Sequence, residues 1–290
     1  MDMFDHAFVV HALVAGSVIA VLCGLVGYLL LQRGEIFAGD ALGHVAYTGA
    51  MAALALGVAA QLGLYVAVVV AGAILALTTF RPGATTGGQS DDADTVIGAF
   101  FAWMMGLGAL LLTVYTTHRS AAHGNANVSV LFGSIFGISA TAVLYAVVIS
   151  GIAVAAVLVI ARPLLFSTID PAVARARGVP VVVLAVVFLA LTGIAVAEGS
   201  QLVGSIVVLG LLSAPAASAA RITAHPWRAI ALSAALAVVS VWGGVIAAYQ
   251  FPKAPVSFTI MTVAVSIYVV TLVAGRSAAA FRRAPRGAGA

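Results

Sequence analysis

The sequence predicts an all-α protein, a polytopic membrane bundle of about nine transmembrane helices, and three observations lead there. Hydrophobic residues fill 63% of the 290 positions and charged residues only 8%, whereas a soluble domain is about a quarter charged. With 13 basic and 9 acidic side chains, the chain cannot cover a water-facing surface, so lipid is its main solvent. Its Ala, Val, Leu and Ile runs are long enough for spanning helices, which need roughly 20 apolar residues. They lack the period-2 alternation of a barrel strand. In lipid the backbone must bond to itself, which a helix does within one segment.

The elements follow in order. The first span, 8–31, comes after Asp2 and Asp5 instead of a basic start and is long enough to cross, so it is not read as a cleavable signal peptide. Cys23 inside it is a small packing residue. A single cysteine excludes an intrachain disulfide and a Cys-rich metal site. The second and third spans are 38–58 and 61–79. Residues 81–95, RPGATTGGQSDDADT, read as a flexible loop. Its Asp91, Asp92 and Asp94 suit solvation and helix capping better than a cation site, because Asp94 stands just before the fourth span, 96–115. The polar stretch 116–129 holds His118 and His123, a weak metal site at most. Leu131 to Ile138 is a candidate re-entrant piece, which leaves eight to ten spans open. The remaining spans are 139–161, 180–197, 201–217, 229–249 and 256–275.

Charge placement orients the bundle. With nine spans and the amino terminus outside, the cytoplasmic side receives Arg33, Arg81, Arg162, Arg175, Arg177, Arg221, Arg228, Arg276, Arg282, Arg283 and Arg286. Only Arg119 and Lys253 fall outside, the asymmetry of the positive-inside rule. Residues 1–276 thus form one transmembrane domain. Residues 277–290 form a cytoplasmic tail, basic and rich in Gly, Ala and Pro, that reads as disordered. The net charge of +4 does not signal nucleic acid, since no run of five like charges occurs.

Ionisable groups within spans are functional candidates by default. His11 falls near an interface, where a neutral imidazole costs little. Glu198 precedes Gly199-Ser200 at an expected tight outer turn, where water can solvate it. Asp40 and His44 differ, because spacing i, i+4 puts both on one helical face. A carboxylate and an imidazole there suit a first-row divalent metal such as zinc or manganese. Gly39, Ala41, Gly43 and Ala46 let helices approach closely or leave a passage beside the pair. A His–Asp hydrogen bond locking two helices explains the spacing equally well. Asp40 lies only a few residues from the cytoplasmic end of its span, so a mid-membrane site needs an earlier helix start or a break near Gly34.

The connection 162–179, RPLLFSTIDPAVARARGV, predicts a short helix with Asp170 as N-cap, Pro171 at its first position and Gly178 at its end. A short basic helix with no core of its own either lies on anionic headgroups or docks a cytoplasmic partner.

The stretch LLLQRGEIFAGDALGHVAYTGAM resembles the signature of permease subunits from zinc and manganese ATP-binding-cassette importers, in which a basic-Gly turn leads into Gly-Asp-Ala, two small residues and His. DDADTVIGAFFA, VLFGSIFGIS, LLFSTIDPAVARARGVPV and LVGSIVVLGLLSAPAASAARIT resemble further segments of that family in order, so the matches cover 29–223. The resemblance implies that Asp40 and His44 coordinate the metal in transit. It implies that Asp170 to Gly178, with Arg175 and Arg177, form the coupling helix that fits a groove of the ATP-binding subunit. It further implies an extracellular metal-binding protein, a second permease copy, a bacterial plasma membrane, and no permanently bound cofactor beyond transported zinc or manganese. The chain has no Walker-type G-x-x-x-x-G-K-[ST], so it is not expected to be an enzyme and ATP hydrolysis falls to a separate subunit. Departures exist too. Tyr47-Thr48-Gly49 stands where many members have Leu-Pro-Gly, which puts a proline kink in doubt, and Tyr47 adds a hydroxyl behind His44. Ser134 replaces a frequent acidic residue. A siderophore- or cobalamin-type permease and a proton-driven secondary transporter are the alternatives; the first leaves Asp40 and His44 without a job, and the second calls for more intramembrane carboxylates.

Overall fold

The computed structural model describes residues 7–79, 89–118, 137, 139–251 and 253–283. Ten helices and no strand occur among them: α1 Ala7–Arg33, α2 Ile36–Leu56, α3 Ala60–Thr79, α4 Gln89–His118, α5 Ala140–Ile169, α6 Pro171–Ala176, α7 Val181–Val203, α8 Ser205–Ile222, α9 Pro226–Gln250 and α10 Val256–Arg283. Seven of them, α1, α3, α4, α5, α7, α9 and α10, are long and apolar enough to cross a membrane. The other two of the nine expected spans, α2 and α8, do not meet that standard among the described residues. α2 carries Asp40, His44 and three glycines, and α8 is a shorter helix rich in small residues.

Burial sorts the helices into a centre and a rim. Two thirds of the apolar window is buried in α1 and in α7, against 11% in α4 and 17% in α10. α1 packs on α5, α8 and α9, α2 on α3 and α4, and α3 on α7. Small residues permit these contacts, as expected where lipid supplies no hydrophobic drive between helices. A Cβ on Gly72 would stand 2.7 Å from the Leu189 carbonyl oxygen, and one on Gly193 would stand 2.8 Å from that of Val68, so α3 and α7 touch backbone to backbone. Side-chain hydrogen bonds join other pairs. Ser233 Oγ donates to the Gly24 carbonyl at 2.7 Å, Trp242 Nε1 to Ser17 Oγ at 2.7 Å, and Thr259 Oγ1 to the Gly244 carbonyl at 2.7 Å.

Several boundaries differ from the sequence reading. α5 runs through Pro163 to Ile169 instead of ending at 161. α4 begins at Gln89, so Asp94 lies inside the helix and does not cap it. α7 continues through Glu198, Gly199 and Ser200, and the turn falls at Gly204, with φ of +93°. Gly199 serves close packing there: a Cβ on it would meet Val208 Cγ2 at 2.8 Å. α10 extends past 276 to Arg283, while 284–290 lie outside the described residues. So do Arg81, Arg119, His123, Ser134 and all of the 131–138 segment except Gly137.

Candidate functional site

α1 ends at a sharp turn. Gly34, at φ +71°, takes the left-handed conformation that favours glycine, and Glu35 then leads into α2. The chain thus breaks at Gly34, and α2 starts at Ile36, two residues before the expected span. The turn is clamped by a buried ion pair, Arg33 Nε to Glu35 Oε2 at 3.0 Å, and the guanidinium lies 5.7 Å from the centre of the Phe188 ring. Burial pushes the Glu35 carboxyl above the usual range, and Arg33 opposes that shift.

One turn into α2, Asp40 and His44 are half-buried and offset by about 6 Å along the axis. Their neighbours Ala38, Gly39, Ala41, Leu42 and Gly43 are buried, with Gly39 beside Leu30 of α1 and Leu212 of α8. The His44 ring meets the Phe101 ring of α4 edge-on, at 4.7 Å and 86°. Phe37 lies 6.0 Å from the same ring. Neither the Asp40 carboxyl nor the His44 imidazole has a hydrogen-bond partner among the described residues, so the structure does not contain the helix-locking His–Asp bond. No cluster of three or more His, Cys, Asp or Glu side chains occurs among those residues.

Tyr47 is half-buried against α4, its ring beside Gly108, and its hydroxyl has no hydrogen-bond partner among the described residues. Thr48, which the sequence did not single out, ties α2 to α4. Its Oγ1, 4% exposed as a residue, lies 3.0 Å from the His44 carbonyl and 2.9 Å from the Met104 carbonyl. The signal was the hydroxyl four residues past His44, but only the tertiary fold supplies Met104.

Asp170 caps α6 as its Asp-Pro pair predicts: its Oδ1 accepts from the backbone N–H of Ala172 at 3.0 Å and of Val173 at 2.9 Å. Gly178, at φ +79°, follows the helix end. Ala174 is buried against the bundle, while Val173, Arg175 and Arg177 are exposed and the arginines form no salt bridge among the described residues. Cys23 is buried, as expected of a packing residue. Glu198 requires correction: it is 2% exposed and accepts a hydrogen bond from the Tyr65 hydroxyl of α3, so it is not a solvated turn residue. The Gly-Ser pair after it looked like a turn, but both residues stay helical.

The ABC 3 transport family matches residues 5–275. The manganese transport system membrane protein MntC of Halalkalibacterium halodurans is 26% identical over 84% of this chain and 80% of its own length. The high-affinity zinc uptake system membrane protein ZnuB of Haemophilus influenzae is 26% identical over 84% of this chain and 88% of its own. A solved structure of PsaBC from Streptococcus pneumoniae in complex with Fab superposes with a TM-score of 0.75 at 24% identity, over 92% of this chain and 91% of that one, and supports the fold.

Proposed function

The chain belongs to the ABC 3 transport family, and from that premise we propose that this multi-pass membrane permease imports zinc or manganese, powered by a separate ATP-binding subunit. The observation that carries the metal reading is the unpartnered Asp40–His44 pair, half-buried on one face of α2 beside Phe101. A carboxylate and a neutral imidazole left free of other bonds are the oxygen and nitrogen donors that either ion accepts. The names of the manganese and zinc relatives agree with both. Two ligands from one chain fall short of the four that zinc takes, so a second permease copy and water complete the shell in this reading. That leaves no resident cofactor, only cargo, and Tyr47 stands behind the pair as a candidate supporting hydroxyl.

The energy enters elsewhere. With the amino terminus outside, α6 faces the cytoplasm, and its exposed Arg175 and Arg177, between the Asp170 cap and Gly178, form the surface that docks the ATP-binding subunit. An extracellular metal-binding protein delivers the ion to the opposite face. The test is uptake of radiolabelled zinc and manganese by proteoliposomes that hold the permease with its ATP-binding subunit. Uptake that needs ATP and both subunits supports the reading. Uptake by the permease alone, driven by a proton gradient, would replace it with a secondary transporter.

A further inference from the structure

Glu198 is a buried carboxyl that the metal pathway leaves without a role. It is 2% exposed and has no ion-pair partner among the described residues. Its Oε1 accepts from the Tyr65 hydroxyl. That hydroxyl accepts from Gln201 Nε2 at 3.1 Å, and Gln201 Oε1 accepts from Gln61 Nε2 at 3.4 Å. Each donor in this row points toward the carboxyl, and the row ends at Gln61, exposed in the first turn of α3. The titratable groups facing Glu198 are Tyr65 from α3 and, beside Gly199, the Cys23 thiol from α1. α8 presents Val208 beside Gly199, and no charged side chain reaches the carboxyl from α2, α5 or α8 among the described residues. A buried charge without a counter-ion is costly, and an ionisable group in a membrane helix is a functional candidate in its own right.

We propose that Glu198 is a proton-binding site, separate from Asp40 and His44, whose ionisation loosens the seam between α3 and α7. On ionisation the carboxyl O–H bond breaks, a water molecule admitted as the seam parts takes the proton, and the electron pair stays on a carboxylate held by the Tyr65 hydroxyl. The seam is otherwise closed by direct backbone contact at Gly72–Leu189 and Gly193–Val68. A carboxylate in it has one hydrogen-bond donor and no cation, so the ionised state favours separation toward water. The protonated state restores a neutral, packed seam. Because α3 also packs on α2, the proton on Glu198 sets how firmly the outer turns of the central helices are held together.

The experiment uses the full-length chain with its ATP-binding subunit in phosphatidylcholine nanodiscs. Infrared difference spectra are taken as buffer is stepped from about pH 5 to about pH 9. A protonated-carboxyl component that disappears at its own midpoint, separate from that of the buried Glu35, is expected, and it must be absent from Glu198→Gln. In Tyr65→Phe the carboxylate loses its donor, so the midpoint rises by about one pH unit. Amide exchange over residues 60–65, corrected for its intrinsic pH dependence, rises severalfold across that midpoint in the parent and stays flat in Glu198→Gln. A parent-minus-Glu198→Gln difference spectrum without a protonated-carboxyl band, or with one that never changes with pH, overturns the proposal. So does a carboxylate signal that answers to manganese or zinc instead of pH. If Glu198→Gln does not fold, Tyr65→Phe decides alone, and an unmoved midpoint refutes the assignment.

Discussion

Gly108→Ala tests whether α2 is set in place by α4. A Cβ on Gly108 would lie 2.7 Å from Thr48 Oγ1, about 0.7 Å inside an ordinary carbon–oxygen contact. The hydroxyl cannot swing away freely, because it is shared between the carbonyls of His44 and Met104, at 3.0 and 2.9 Å. Overpacking of this kind costs about 1–3 kcal/mol. Loss of an interhelical hydrogen bond in a membrane costs on average about 0.6 kcal/mol and at most about 1.7. Thr48→Ala removes the atom with which the new methyl collides, so the double variant is less destabilised than the two single costs combined, by about 1 kcal/mol or more. Reversible unfolding in mixed micelles measures all four corners of the cycle. Metal uptake by the same variants reports the consequence, since a shifted α2 carries His44 away from Phe101. Thr48→Ser keeps the hydroxyl and serves as control, with near-parent stability. Additivity within about 0.5 kcal/mol would mean that the two residues do not act on each other, and the positioning argument would fail.

Other consequences concern the turn between α1 and α2 and the proposed docking helix α6. Arg33→Ala leaves Glu35 buried without its cation, and truncating one partner of such a pair costs about 3–5 kcal/mol; an unfolding free energy within 1 kcal/mol of the parent, of order one tenfold change in equilibrium, would contradict the clamp. Glu35→Gln tests the same turn through pH. Burial raises the folded Glu35 value above its unfolded one, so the parent's stability relative to Glu35→Gln is greatest in acid, below the unfolded value, and declines as pH rises through the folded one; an increase over that window would reverse the assignment. Arg175→Glu combined with Arg177→Glu reduces copurification of the ATP-binding subunit at physiological salt while the bundle stays folded, and unchanged association would remove α6 from the docking surface.

The apolar runs made the spans legible, because a segment solvated by lipid must advertise itself over some 20 residues. Asp170-Pro171 made α6 legible, because an N-cap and a first-position proline are local chemistry. What stayed hidden depended on neighbours distant in sequence. Gly199-Ser200 reads as a turn in isolation, yet Val208 across the helix pair needs a glycine there. The ion pair and ring contact that bury the Arg33 guanidinium depend on Glu35 and on the distant Phe188. The fifth span was expected to end at 161, but α5 runs on through Pro163 to Ile169. The i, i+4 spacing of Asp40 and His44 was visible at once, whereas the absence of a bond between them, which separates a free donor pair from a helix lock, emerged only in three dimensions.

The central claim is that Asp40 and His44 bind the transported ion, and uptake by Asp40→Ala and His44→Ala complexes tests it most directly. Each variant is purified with its ATP-binding subunit, checked for assembly and ATP hydrolysis, and loaded into proteoliposomes with radiolabelled zinc or manganese outside. The account predicts intact assembly and loss of uptake for both ions in both variants. Parent-level uptake of either ion by either variant would contradict it.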